Sequence, residues 1–325
     1  MKREENIVKI FEKCLLVKGY SRGCVFDIDR GLMFFIDNST IDFVNYIKDK
    51  NINEVINDFD SKEDFNEYLN FLIDTEIVFL TNEPESFPYL NLTVEKPFLF
   101  DVLLMEVDNF DELKQEILTH TDKWGVSHIA LIFKEKTYKD KINEILAYFE
   151  YSKIHTITIY LKSTKELEKE KVEIINTRLR NVYFFNAENE KNYNNIFFTK
   201  KSLLQLLTRR VSKVHDMIIN INAYLESINN NLFYNRRVYI DNENNVKHSI
   251  EEKISHGNLR KEKIDEIIVK EKFIELWNLS KDQIEDCRHC EFRYFCPDNR
   301  IPEFKDGKYI NIITCNYDYK TNSWK

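Results

Sequence analysis

The sequence is short of the residues that make flexible or membrane-spanning chains. Its 325 residues include 6 glycines and 5 prolines, which is too few for long flexible linkers. No apolar run approaches the roughly 18 residues that a membrane helix requires. The start of the chain, MKREENIVKIFEK, has no apolar signal-peptide core. We therefore expect a cytoplasmic protein with no membrane partner.

Negative charge is in excess, and common catalytic motifs are absent. The formal net charge is −8, with 47 Lys and Arg against 55 Asp and Glu. This balance argues against a nucleic-acid partner or a surface for anionic lipids. The sequence contains no P-loop, no G-x-G-x-x-G fingerprint and no nucleophile elbow. Its seven histidines show no pair at metal-binding spacing, so the sequence names neither a general base nor a histidine metal site.

Cysteine is missing from the long middle of the chain and is concentrated near its end. The segment CRHCEFRYFC begins with two cysteines at C-x2-C spacing, at which two thiolates can reach one centre from a tight turn. In a cytoplasmic protein, such a cluster favours metal ligands over disulfides. Four thiolates suit an iron–sulfur cluster or Zn²⁺, and the spacing does not choose between them. The predicted ligands are Cys287, Cys290, Cys296 and Cys315.

Residues 1–83 predict a small domain of three strands followed by three helices. CLLVKGY, GCVFDID and GLMFFID are short aromatic or β-branched runs separated by turn-like pairs. In the helices that follow, apolar residues recur at three- and four-residue spacing, with Ser39 and Ser61 as predicted N-caps. This order of elements is typical of a winged helix.

From residue 97 onward the pattern alternates between buried strands and helices. PFLFDVLLMEV, SHIALIF, IHTITIYLK and NVYFFNA recur at regular intervals, which is typical of β/α units in a partial barrel or a doubly wound layer. We also predict a helix at 201–228 and a hairpin in RRVYIDNENNVKHSI. The predicted fold class is α/β within a multi-domain α+β chain, with domains at 1–83, 97–228 and 229–325.

The cysteine segment, together with CNYDYKTNSW, resembles the C-terminal signature of SPASM domains, the auxiliary-cluster domains of peptide-modifying radical SAM enzymes. Within that group the chain is most similar to the peptide maturases encoded beside ATP-grasp ligases, the grasp-with-spasm (graspetide-type) systems. KDQIEDCRHCEFRYFCPDNR, NRRVYID with NNVKHS, and GYSRGCVFDIDRG carry the likeness further. The resemblance implies an N-terminal PqqD-like peptide-recognition winged helix, a central partial β/α barrel resembling radical SAM, and a C-terminal SPASM-like cysteine–metal domain.

The sequence departs from that family at the SAM-cleaving cluster. Radical SAM enzymes hold it with C-x3-C-x2-C after the first barrel strand, and MEVDNFDEL stands in that place here. The positions of a second auxiliary cluster align with Phe233, Ser249 and Asn299, none of which is a thiol. The resemblance therefore implies one [4Fe–4S] cluster on the four C-terminal cysteines, with Zn²⁺ as the alternative, and no SAM.

The resemblance also implies a binding site for a leader peptide in the first domain. In related recognition domains an extended peptide adds to the third strand and lies against the third helix. The acidic third-helix region SKEDFNEYLNFLIDTE would repel phosphate, which disfavours DNA. Each implied residue also fits an ordinary core position. These residues are Leu32, Phe34 and Ile36 on the strand, and Phe65, Tyr68, Leu69 and Leu72 on the helix.

We therefore expect a precursor-peptide recognition and maturation partner that acts with an ATP-grasp ligase in a ribosomal peptide pathway and has lost SAM-radical chemistry. The alternative is an active peptide-modifying maturase that uses an atypical iron–sulfur cluster or one supplied by a partner. A third hypothesis, a transcription regulator with a metal-sensor domain, is disfavoured by the acidic third helix.

Overall fold

The structure is a computed structural model that describes residues 6–93, 99–108, 118–134, 139–169, 174, 176–208 and 210–325. The chain forms two compact units that do not follow chain order. The cysteine unit comprises Met1–Val94, Val211–Leu232 and Ser280–Lys325, and the sheet unit comprises Glu95–Arg210 and Phe233–Leu279. This division differs from the three consecutive domains predicted, because the segment 229–325 contributes to both units.

The elements are mostly short, and their bounds are as follows. The strands are β1 (Ile7–Ile10), β2 (Cys14–Lys18), β3 (Gly23–Asp27), β4 (Leu32–Ile36), β5 (Val78–Thr81), β6 (Val102–Glu106), β7 (His128–Phe133), β8 (Thr156–Lys162), β9 (Leu179–Phe185), β10 (Lys191–Tyr193), β11 (Ile196–Phe198), β12 (Arg237–Ile240), β13 (Asn245–Lys247), β14 (Gly257–Asn258), β15 (Glu303–Lys305), β16 (Lys308–Ile310), β17 (Tyr317–Asp318) and β18 (Ser323–Trp324). The α-helices are α1 (Asn38–Ile47), α2 (Ile52–Val55), α3 (Lys62–Asp74), α4 (Leu118–Trp124), α5 (Lys139–Tyr148), α6 (Lys165–Lys169), α7 (Leu203–Leu207), α8 (Ile221–Ser227), α9 (Ile264–Ile267) and α10 (Glu271–Trp277).

The sheet unit is built on one nine-stranded sheet in the order β10-β11-β9-β8-β7-β6-β12-β13-β14. The central strands pair in parallel, and antiparallel strands extend both ends. The mixed α/β class, the four alternating strands and the β12–β13 hairpin are therefore confirmed. The inner strands read as continuous apolar runs because parallel sheets are buried on both faces.

The segment 201–228 is not the continuous helix predicted from its apolar spacing. The Asp216 carboxylate accepts a hydrogen bond from the Ser212 backbone N–H at 2.8 Å. The Asn220 side chain accepts one from the Ala223 N–H at 2.9 Å and starts α8 anew. Such local side-chain bonds compete with helical ones. None of the helices in the described ranges has the length and hydrophobicity needed to cross a membrane.

In the cysteine unit, the three predicted strands form the antiparallel sheet β2-β3-β4, with β4 at an edge. The predicted cap of α3 is confirmed, since the Ser61 hydroxyl accepts a hydrogen bond from the Asp64 N–H at 3.2 Å. The predicted cap of α1 is wrong, because Asp37 rather than Ser39 precedes the first helical residue. Sequence analysis also missed the antiparallel pair β1–β5.

One hydrophobic core of the cysteine unit joins N-terminal strands to the C-terminal cysteine segment. Buried side chains of β2 and β3 pack against buried aromatic side chains of the cysteine segment. The rings of Phe26 and Phe295, both fully buried, have centroids 4.2 Å apart. This packing places the predicted metal ligands and the predicted peptide-binding strand in one folded unit.

Candidate functional site

Tight turns position the first two cysteines. The Cys287 N–H donates to the Ile284 carbonyl at 2.9 Å, and the Cys290 N–H donates to the Cys287 carbonyl at 2.9 Å. Successive turns of this kind curl the C-x2-C segment, so that both thiols can serve one centre.

Aromatic packing positions the other two cysteines, Cys296 and Cys315. Phe292 and Phe295 are buried and anchor the turn that leads to Cys296. Cys315 lies two residues before Tyr317, whose ring packs on Phe292 with centroids 4.9 Å apart. The sequence distance between these cysteines is therefore bridged by a common apolar core.

The four thiols form one electrostatic group. Cys287 interacts with Cys290, Cys296 and Cys315, and Cys290 interacts with Cys296. All four are free thiols that are buried or partly buried. The structure thus brings together every cysteine that the sequence predicted as a ligand.

Two buried cations lie beside these thiols. Burial lowers the pKa of Lys281, but the negative charges of Cys296, Cys287 and Asp298 outweigh burial and raise it overall. Arg300 is also buried and pairs with Asp298. Two cations face one carboxylate here, a charge balance that favours thiolates over neutral thiols at these sulfurs.

The thiols ionise with difficulty unless a metal ion is bound. Burial raises the pKa of Cys287, and it raises that of Cys296 to about 12. A coordinating metal ion deprotonates such a thiol outright. The sulfurs also accept hydrogen bonds from Asn311 Nδ2 (3.5 Å, to Cys287) and the Tyr317 N–H (3.4 Å, to Cys315), as sulfur ligands of iron–sulfur centres do.

The sulfur atoms lie further apart than a zinc site requires. Tetrahedral Zn–S bonds of about 2.3 Å place sulfurs about 3.8 Å from each other. Within the described ranges, no three cysteine sulfurs lie within 4.8 Å of one another. A [4Fe–4S] core gives each thiolate its own iron and so needs a wider set. The donor set suits a [4Fe–4S] cluster, and a zinc ion is the other occupant that four thiolates accept.

A buried ion pair ties the β2–β3 turn to the cysteine segment. The Glu291 carboxylate, next to Cys290 in sequence, is fully buried. It accepts hydrogen bonds from Arg22 Nε at 2.9 Å and from the Tyr317 hydroxyl at 2.5 Å. The Arg22 guanidinium also lies 3.3 Å from the centroid of the Phe35 ring. The position of the C-x2-C turn therefore depends on a residue of the β2–β3 turn.

The predicted peptide-binding strand lies at a sheet edge. β4 pairs with β3, and no other strand in the described part of the chain pairs with its second side. Leu32 is 58% exposed and Phe34 is 36% exposed, whereas Ile36 packs partly into the core. The edge thus offers backbone groups and two exposed apolar side chains.

A cavity of about 770 Å³ lies beside α1 and α3 in the same unit. Its walls are mainly aromatic, and its rim carries three carboxylates. The lining residues are Phe43, Phe59, Asp60, Ser61, Asp64, Phe65, Glu67, Tyr68 and Phe71.

The four predicted helix residues have different surroundings. Phe65 and Tyr68 line the cavity, and Tyr68 also contacts Thr40 through its hydroxyl. Leu69 and Leu72 are fully buried core residues and do not line it. Sequence analysis missed Phe71, although it follows Tyr68 at the three-residue spacing that places two side chains on neighbouring positions of a helix.

The end of β6 carries an ion pair with a buried carboxylate. Glu106 is buried, forms a 2.6 Å ion pair with Lys134 and accepts hydrogen bonds from the Tyr239 hydroxyl and the Asn242 N–H. The residues at 109–113, which complete MEVDNFDEL, lie outside the described ranges.

A histidine cluster was also missed. Sequence analysis found no metal-spaced histidines, but His248, Glu252 and His256 each bring a ligand atom within 4.8 Å of the other two. The regular four-residue spacing H-x3-E-x3-H was the signal that could have found it.

No protein-family model matches the chain. No curated protein matches it either. Solved structures similar to it include SuiB from Streptococcus suis, with 12% identity, a TM-score of 0.35 and coverage of 89% of this chain and 94% of that one. SuiB bound to S-adenosylmethionine has 10% sequence identity and a TM-score of 0.35, and the match covers 90% of this chain and 95% of that one. SuiB bound to the precursor peptide SuiA has 10% sequence identity and a TM-score of 0.33, and the match covers 90% of this chain and 95% of that one. At this level of similarity, function has to be inferred from this chain's own residues.

Proposed function

We propose that the cysteine unit binds the leader of a ribosomally synthesised precursor peptide and presents the rest of that peptide to an ATP-grasp ligase. One observation carries this proposal. Within the described residues of a single unit, an edge strand with exposed apolar side chains occurs together with an acid-rimmed aromatic cavity.

The edge strand suits an extended peptide. A peptide that adds to β4 would gain main-chain hydrogen bonds, while its alternate side chains would contact Leu32 and Phe34. The three residues Leu32, Phe34 and Ile36 share one face of the strand, so the exposed pair continues the surface of the core.

The cavity defines the chemistry of the peptide. Its aromatic walls suit one apolar or aromatic anchor side chain. The carboxylates of Asp60, Asp64 and Glu67 at the rim favour Lys or Arg beside that anchor. We therefore propose a leader with an apolar anchor flanked by basic residues.

The four cysteines would hold a [4Fe–4S] cluster, which supplies a cross-link between the cysteine segment and Cys315. Metal-binding energy then becomes folding energy of the unit. Lys281 and Arg300 would offset the negative charge of the thiolates. A zinc ion is the alternative occupant of the same four residues.

Radical chemistry does not enter this proposal. The sequence has no cysteine between Cys24 and Cys287, so this chain has no thiolates to hold a SAM-cleaving cluster in its middle. The alternative, a maturase that works with a cluster supplied by a partner, draws support from the mostly parallel sheet, since α/β sheets bind ligands at the carboxyl ends of their strands.

Calorimetric titration of the full, anaerobically reconstituted chain tests the proposal. The probe is a synthetic leader peptide with one aromatic residue flanked by lysines, the chemistry that the cavity is proposed to accept. We expect saturable binding that Phe71→Ala weakens about 5- to 30-fold, in line with about 1–2 kcal/mol for an exposed aromatic side chain that the bound peptide covers. Tyr151→Ala, which removes an exposed aromatic residue of the sheet unit, is the matched control.

The acidic rim is tested separately. Glu67→Gln should weaken binding about two- to fivefold, since exposed charge pairs contribute roughly 0.5–1 kcal/mol. Glu63→Gln removes one carboxylate from the same helix outside the cavity and should leave binding unchanged. No binding to the unmodified chain, or equal effects of test and control variants, would reject the site.

A further inference from the structure

Three side chains of the sheet unit converge between β13 and β14. His248 directly follows β13, and His256 directly precedes β14. Glu252 lies midway between them in sequence. His248 Nδ1 lies 3.1 Å from Glu252 Oε2, and His256 Nε2 lies 2.8 Å from Glu252 Oε1. The peptide-binding function proposed above uses none of these residues.

The hydrogen bonds of His248 require a proton or a metal ion between His248 and Glu252. His248 Nε2 lies 2.9 Å from the Phe273 carbonyl oxygen, which can only accept, so this nitrogen carries the hydrogen. In a neutral imidazole, Nδ1 then presents a lone pair to the Glu252 carboxylate, which also can only accept. Either a proton or a metal ion must lie between the two.

The surroundings favour a metal ion. Histidine ligands of metals characteristically donate their second ring N–H to a carbonyl or carboxylate, which fixes the ring and its tautomer. The bond to Phe273 has this form, and the His248 ring is also stacked on the Phe273 ring, with centroids 4.2 Å apart. The Glu252 carboxylate is held as well, since its Oε2 accepts the His248 N–H at 2.7 Å.

We propose that His248, Glu252 and His256 bind a divalent transition-metal ion of the Zn²⁺ class. The ligands are His248 Nδ1, the Glu252 carboxylate and His256 Nε2, a set of two imidazoles and one carboxylate that zinc accepts. The side chains of Glu252 and His256 are 14% and 12% exposed, so water can reach a fourth position. The bound ion pins the segment 248–256 to α10 through Phe273.

Zinc titration of the full chain tests this inference. The four cysteines are first loaded with their iron–sulfur cluster, and Zn²⁺ is then titrated against a chromophoric chelator. We expect about one further equivalent of zinc per chain. His256→Gln should lower the zinc affinity more than about 100-fold, since loss of a ligand exceeds the 10- to 100-fold cost of losing its supporting partner. His155→Gln, which removes an exposed histidine of the same unit, should not.

Further readouts separate loss of the site from loss of the fold. Because His256 is partly exposed, its replacement should leave the circular dichroism and the cluster's visible absorption unchanged. Glu252→Gln should weaken zinc binding in the same way. Co²⁺ in place of zinc should give d–d absorption without sulfur-to-metal charge transfer, since no thiolate is a ligand. The absence of a further zinc equivalent, zinc binding that neither variant changes, or a sulfur charge-transfer band with cobalt would overturn the assignment.

Discussion

Replacing Arg22 with Ala should destabilise the cysteine unit, although Arg22 is distant in sequence from every predicted metal ligand. Its guanidinium is the cationic partner of Glu291, next to Cys290. The Arg22 side chain is 25% exposed and that of Glu291 is 1% exposed. Removing the arginine leaves a buried carboxylate with the Tyr317 hydroxyl as its remaining donor, because its second oxygen, Oε2, has no partner in the described structure.

The size of the effect follows from this burial. Removing one partner of a buried ion pair costs about 3–5 kcal/mol, because the other charge stays buried and uncompensated. The partial exposure of Arg22 and the retained bond to Tyr317 place the expected loss near the lower limit, at about 3 kcal/mol. Combining Arg22→Ala with Glu291→Gln should recover part of it, since no charge then remains buried.

Urea unfolding of the cluster-loaded chain, followed by circular dichroism and by cluster absorption, measures the effect. Lys18→Ala is the matched control, because Lys18 belongs to the same hairpin and its pair with Asp42 is 49% and 62% exposed. That pair should contribute less than about 1 kcal/mol. If Arg22→Ala destabilises the chain no more than Lys18→Ala does, the buried pair does not hold the cysteine segment and the reasoning is refuted.

Three further predictions concern the metal, pH and packing. Cys290→Ser, or removal of iron by a chelator, should shift unfolding of the cysteine unit to lower urea concentration because metal binding supplies folding energy; an unchanged curve after complete metal removal contradicts this. Burial and neighbouring arginines lower the pKa of His128 to about 4, so the unfolded chain takes up its proton first as pH falls. Stability of the sheet unit should then be fully present above about pH 6.5 and fall by up to about 3 kcal/mol between pH 6.5 and 4. The His128→Gln variant should lose less stability over this pH range. An equal loss in the variant and the unmodified chain would contradict the prediction. A Cβ atom at Gly257 would lie 2.6 Å from Ile267 Cγ1, so Gly257→Ala should cost about 1–3 kcal/mol by overpacking, and unchanged thermal unfolding would show that the contact relaxes.

Features set by local sequence could be predicted. The parallel strands β6 to β9 are continuous apolar runs, as strands buried on both faces must be. The Ser61 cap was predictable because a serine, an acid three residues later and an apolar helix face stand within one turn. The turn that carries the C-x2-C pair was predictable for the same reason, because both cysteines stand within four consecutive residues.

Features set by contacts between residues far apart in the sequence could not be predicted. β1 and β5 pair across most of the first 81 residues, and each alone is a run of four residues that fits a helix end as well as a strand. The contact between Phe26 and Phe295 joins chain ends that no spacing relates. In the segment 201–228, side-chain bonds of Asp216 and Asn220 override a helical apolar pattern. Of the helix residues predicted to bind the peptide, Phe65 and Tyr68 do line the cavity. The periodic pattern could not show that Leu69 is buried in the core while Phe71 is partly exposed.

The central claim is that the four C-terminal cysteines hold one iron–sulfur cluster and that the middle of the chain holds none. Iron and acid-labile sulfide analysis of the anaerobically reconstituted chain, with its visible spectrum, tests this most directly. The account predicts about four iron and four sulfide per chain, a brown colour, loss of both in Cys290→Ser and no cleavage of SAM. A colourless protein with zinc on these cysteines, or about eight iron per chain with SAM cleavage, would contradict it.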